Sequence, residues 1–122
     1  MQFLLAFFHD DREILLEDVE RAFVSDPRFT KIRYDEPVGA VIESRFEDRE
    51  HEDWSIVRLN SDRKTLSMTG TTYAAFEAAW ILHQHIAGPL HLINDDNEFD
   101  FDLNDFASAD ELWAAALKVW ER

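Results

Sequence analysis

Apolar and polar positions along this chain follow two different periods, and their order lays out the elements. Phe3-Leu4-Leu5-Ala6-Phe7-Phe8 is apolar throughout, which suits a short central strand buried on both faces. After His9-Asp10-Asp11 the period changes. Leu15, Leu16, Val19, Ala22 and Phe23 recur at helical spacing, with Asp11, Glu13, Glu17, Asp18 and Glu20 on the outer side. Asp10 with Glu13 matches a capping box. Asp26-Pro27 stops the helix, because proline disfavours helical geometry in the residue before it.

A β-rich stretch follows. Phe29 to Tyr34 predicts a strand and Asp35-Glu36-Pro37 a turn. Ala40, Ile42, Ser44 and Phe46 then alternate with Val41, Glu43, Arg45 and Glu47, the pattern of a half-exposed strand. The charged run from Glu47 to Asp53 reads as a solvated loop. Two β-prone runs, Trp54 to Leu59 and Thr65 to Thr69, flank the polar residues 60–64 and predict a hairpin.

Gly70-Thr71-Thr72 offers a helix N-cap. Residues 73–87 are apolar almost all round, which predicts the best-buried helix of the fold or one shared with a partner chain. Gly88-Pro89 ends it. Leu90 to Ile93 predicts a strand and Asn94 to Asn97 a turn. Phe99, Phe101 and Leu103 alternate with Asp100 and Asp102, giving a strand with one apolar and one acidic face. Ser108 with Glu111 is a capping box, and Leu112, Trp113, Ala116, Leu117 and Trp120 stripe the last helix.

The order is β-α-β-β-β-β-α-β-β-α. It predicts one α+β domain spanning residues 1–122, with a mainly antiparallel sheet of five to six strands and about three helices packed on one face. The alternative is a mixed sheet with a right-handed crossover from the first strand. A chain of 122 residues with ten Phe and four Trp holds one core and no second domain. The six-residue apolar run near the start is too short for a signal peptide or a membrane span. The expected location is therefore the cytoplasm.

Chemistry is sparse. No cysteine is present, which excludes disulfides and thiolate sites. With three isolated glycines there is no phosphate-cradling loop, and no serine sits in a nucleophile elbow. His83 and His85 point to different faces of a helix, and His91 approaches His85 only after the Gly88-Pro89 turn, so no metal site is expected. The segment Asn94 to Asp102 fails the calcium-loop pattern: counting from Asp95, position 5 is Phe99, and counting from Asp96, position 6 is Phe101. Asp100 and Asp102 share a strand face, and an exposed acidic face is the plainer account than an acid–base pair. The expectation is a non-enzymatic protein without cofactor or metal.

Charge separates along the chain. The net charge is -14, and no Lys or Arg occurs from Thr65 to Leu117. That stretch holds nine acids, eight of them between Asp95 and Glu111. Such a field repels nucleic acid and anionic membranes and attracts a basic protein. The expected contact residues are Asp95, Asp96, Glu98, Asp100, Asp102 and Asp105. Phe99, Phe101 and Phe106, interleaved with them, belong either to the buried side of the strand or to the docking surface as anchors.

The run Thr65 to Gly70, a long helix, Gly88-Pro89-Leu90-His91-Leu92-Ile93-Asn94-Asp95, and then Phe99 to Leu103 resembles small uncharacterised bacterial proteins of the immunity type. Those proteins neutralise a toxin encoded beside them. The resemblance covers about the last half of the chain, in layout, size and acidity. It implies a cytoplasmic inhibitor that covers the basic cleft of a cognate toxin or nuclease. The alternative expectation is a homo-oligomeric structural or adaptor domain, a homodimer for example, joined through the Trp80 helix and the Trp113 and Trp120 helix.

Overall fold

A computed structural model describes residues 2–34 and 40–121; the turn expected at Asp35-Glu36-Pro37 lies outside the described residues. The elements are β1 Phe3–Phe7, α1 Leu16–Ser25, β2 Phe29–Arg33, β3 Ala40–Asp48, β4 Asp53–Asn60, β5 Thr65–Thr69, α2 Tyr73–His85, β6 His91–Asn94, β7 Asp100–Asp102 and α3 Ala109–Trp120. A short 3-10 turn, Leu103–Asp105, follows β7. The predicted order holds. The sheet has seven strands rather than five or six, in the spatial order β2-β3-β4-β5-β1-β6-β7.

All neighbouring strands are antiparallel, which removes the mixed-sheet alternative. β1 lies between β5 and β6, with Leu5 opposite Ser67 on one side and Ile93 on the other. Leu4 and Ala6 are buried under the helices, whereas Phe3, Leu5 and Phe7 on the uncovered face are only half-buried, so the strand is central but not buried on both faces. Both sheet edges are charged and short, as edges must be to resist pairing with another chain. β2 carries Lys31 and Arg33 and a register shift; β7 carries Asp100 and Asp102 and is three residues long.

The helices cover one face. α2 packs against β1, β3, β4 and β5, with α1 and α3 against it. Leu4, Ala6, Ile42, Phe46, Val57, Leu59, Leu66, Met68 and Leu92 point from the sheet into this layer, each 1% exposed or less. Phe76 and Leu82 of α2 meet them, fully buried. Burying a Leu or Phe side chain contributes roughly 1.5–3 kcal/mol, which is why the helix that is apolar nearly all round takes the centre of the helical layer.

Several local expectations change. α1 starts at Leu16, and its N-terminus carries no side-chain cap. The Asp10 and Glu13 capping box does not form; Asp10 accepts instead from Arg12 Nε at 2.7 Å. Asp18, expected outside, is 6% exposed and pairs with Arg21. Glu43, expected on the open side of β3, is also 6% exposed. It accepts from Arg33 Nε at 2.8 Å and Arg58 Nε at 2.7 Å, one guanidinium from each flanking strand. Asp48 extends β3 into the run expected to be a loop and is buried, bound to His51 Nδ1 at 2.7 Å. The Ser108 cap forms as expected, accepting from the Glu111 amide at 3.1 Å.

Candidate functional site: the acidic β7 edge

Four consecutive features build one margin of the sheet: β6, the turn after it, β7 and the 3-10 turn. Asn94 shapes the turn. Its carbonyl accepts from the Asn97 amide at 3.0 Å and its side chain from the Glu98 amide at 2.8 Å. Asn97 closes it at φ 57, in the left-handed region that Asn tolerates better than most residues. Asp95 and Asp96 sit exposed on this turn. Asp102 then caps the 3-10 turn, accepting from the Asn104 amide at 2.9 Å, and Asp105 is exposed within it.

All six expected contact acids therefore lie along one margin. Their surroundings differ. Glu98 Oε1 accepts from Asn94 Nδ2 at 2.8 Å and from Trp120 Nε1 at 3.1 Å. Beside it Gln2, Thr71, Asn94, Glu98 and Trp120 line a polar hollow of about 170 Å³. Asp95, Asp96 and Asp105 make no side-chain hydrogen bond or ion pair among the described residues. Every Lys or Arg ion pair among the described residues joins an acid from the Asp10 to Glu77 part of the chain, and none reaches the β7 margin.

The interleaved phenylalanines face the other way. Phe99 is buried and stacks on Phe101 at 4.5 Å. Phe101 meets Phe106 at 5.3 Å, and both pack against the core. They pack on the core rather than standing out as surface anchors: Phe101 through the alternation of β7, and Phe106 from the end of the 3-10 turn. Trp113 and Trp120, expected as an oligomer interface, also turn inward. They lie 5.2 and 5.9 Å from Phe76, ring to ring.

One group at this margin was not expected. Asp100 Oδ1 lies 2.8 Å from His91 Nδ1, and Oδ2 lies 3.1 Å from His9 Nε2. The two imidazoles stack at 3.4 Å, inclined by 16°. His91 therefore stacks on His9, on the turn after β1, rather than grouping with His85. The register explains this. His91 opposes Phe7 of β1 on one side and Asp102 of β7 on the other, so Asp100 is its diagonal neighbour on the same sheet face. His9 follows β1 closely enough to fold over His91. Nothing in the spacing of His9, His91 and Asp100 signals this; only the pairing of β1 with β6 does.

His83 lies apart from this group. Burial pushes its imidazole below the ordinary range, opposed by the negative charge of Asp102. Its Nδ1 is buried without a hydrogen-bond partner. Compared with family models, with characterised proteins and with solved structures, the chain gives no significant match.

Proposed function

We propose that this chain is a non-catalytic binding protein that docks a basic protein partner on the β7 margin. The immunity-type resemblance makes a cognate toxin or nuclease with a basic cleft the leading partner class. The supporting observation is the distribution of charge in space: six acids line one margin, and none is paired to a Lys or Arg among the described residues. Acids crowded on one margin repel each other, and a cationic partner relieves that repulsion while the field speeds encounter. The polar hollow at Glu98 offers a seat for one cationic side chain, since Glu98 Oε2 makes no hydrogen bond among the described residues. The homo-oligomer alternative has less support, because Trp113 and Trp120 pack against the core and leave it only the half-buried Trp80 of α2.

The test is charge reversal with a matched control. A partner is captured from the native organism, and its affinity is measured for the wild-type chain. D95K, D96K and D105K together are expected to weaken binding at least about tenfold, mainly through the association rate. E17K, E50K and E52K together, which make the same charge change at exposed positions off the margin, should leave it within about twofold. Equal effects of the two sets sink the proposed surface.

A further inference from the structure

The neighbouring strands β6 and β7 and the distant turn after β1 bring two imidazole nitrogens and a carboxylate to one point. The donor atoms of His9, His91 and Asp100 all lie within 4.8 Å of one another. Each oxygen of Asp100 faces a different ring nitrogen, at 3.1 and 2.8 Å. His91 is held by β6 and is largely covered, its side chain 17% exposed, while His9 and Asp100 are about half exposed. One firm donor and two solvent-facing ones leave room for water as a further ligand.

We propose that His9, His91 and Asp100 form a binding site for a divalent transition-metal ion of the Zn2+ class. Two imidazoles with one carboxylate suit Zn2+, Ni2+ or Co2+, whereas Mg2+ and Ca2+ require oxygen-rich sets. Size also agrees. A tetrahedral ion with Zn–N bonds of about 2.05 Å spaces its ligand atoms by roughly 3.3 Å, and the ring nitrogens of His9 and His91 lie 3.1 and 2.8 Å from the Asp100 oxygens. The rings are nearly parallel, so they must tilt for their lone pairs to converge. His9 sits on an exposed turn where a tilt disturbs no core packing. Each nitrogen now directed at Asp100 gives up its proton, or passes it to the other ring nitrogen, as the metal takes the lone pair. The surrounding acids, Asp102 opposite His91 among them, raise the local cation concentration. A bound ion braces the β1 exit turn, β6 and β7 together, and thereby fixes Asp100 on the β7 margin.

The inference does not depend on partner docking, and its test uses the purified full chain alone. Zn2+ is titrated by calorimetry and its effect on thermal stability followed, with Co2+ as a spectroscopic probe and Ca2+ and Mg2+ as controls. One equivalent should bind saturably and raise the melting midpoint, and Co2+ should develop visible bands. E17Q, on the exposed side of α1, should bind Zn2+ unchanged. H91Q should lose more than the roughly 10–100-fold that removal of an outer-shell partner costs. H9Q, altered on an exposed turn, should lose as much while melting like the wild type without metal. Absence of saturable uptake, uptake by H9Q and H91Q equal to that of the wild type, or Ca2+ binding as tight as Zn2+ overturns the site.

Discussion

Asp53 at the start of β4 holds the first turn of α2: its Oδ2 accepts from the Ala74 amide at 2.9 Å. The same oxygen accepts from Thr72 Oγ1 at 2.6 Å. Thr72 occupies the N-cap position but makes no capping bond of its own. The sheet thus supplies the cap, and the most buried helix is tied to β4 at its origin. Removing it leaves an orphan amide at the helix N-terminus.

D53A is expected to destabilise the fold by about 1–2 kcal/mol, the range for loss of a side-chain cap. T72A keeps the Asp53 to Ala74 bond and should cost less than half as much. Urea unfolding midpoints of the two variants check the order, and a larger loss for T72A contradicts the assignment.

Gly88 sets how closely the α2–β6 connection passes β1. Its φ is 127, and a Cβ there would lie 2.7 Å from the Phe8 ring and 2.6 Å from Arg12 Nη2. Arg12 lies over the Phe8 ring, 4.3 Å from its centroid. An L side chain adds both a strained φ and a clash. G88A should therefore cost about 1–3 kcal/mol, and because Phe8 adjoins His9 it should also weaken Zn2+ uptake. A G88A chain as stable as the wild type shows that the loop opens freely.

His83 gives the fold a pH dependence of known sign. Burial favours its neutral form, so its folded-state value lies below the ordinary 6.5, with Asp102 partly opposing. Above that range neither state is protonated and the residue has no effect. As pH falls below about 6.5 the unfolded chain takes up the proton first, and stability is lost until the folded value is passed. Denaturant titrations at pH 7 and pH 5.5 should show this loss, and H83Q should reduce it. An unchanged pH slope in H83Q assigns the loss to other groups.

Glu43 acts in a lower window. Burial raises its carboxyl, but the hydrogen bonds and charges of Arg58 and Arg33 together outweigh burial and hold it below the ordinary 4.5. Its contribution is present above that value and lost as pH falls through the depressed one. E43Q should cost about 1–2 kcal/mol at neutral pH, less than a fully buried pair because both guanidiniums are partly exposed. The loss should shrink below pH 4, where the wild type is itself protonating. A neutral-pH effect near zero would mean the pair is screened.

Much of the fold is legible in local pattern. The β4–β5 hairpin, the Ser108 cap, the apolar α2 and the alternation of Phe99 to Asp102 depend on residues close in sequence, so periodicity and capping chemistry reveal them. What escapes depends on distant partners. The α1 start escapes because Asp10 binds Arg12; Thr72 does take the N-cap position of α2, but the side chain that bonds the helix amide escapes because Asp53 stands 21 residues from Ala74. Glu43 looks exposed until Arg33 and Arg58 arrive from both sides. The acids of the β7 margin could be named from the charge map. The His9, His91 and Asp100 group could not, since 91 positions separate His9 from Asp100.

The central claim is that the β7 margin binds a cationic protein through its charge. The most direct test is the salt dependence of affinity for the captured partner, compared between the wild type and the D95N, D96N, D105N triple variant. The account predicts affinity that falls steeply from low to high salt, and a flatter dependence in the variant. Affinity that ignores salt, or a slope identical in both proteins, contradicts it.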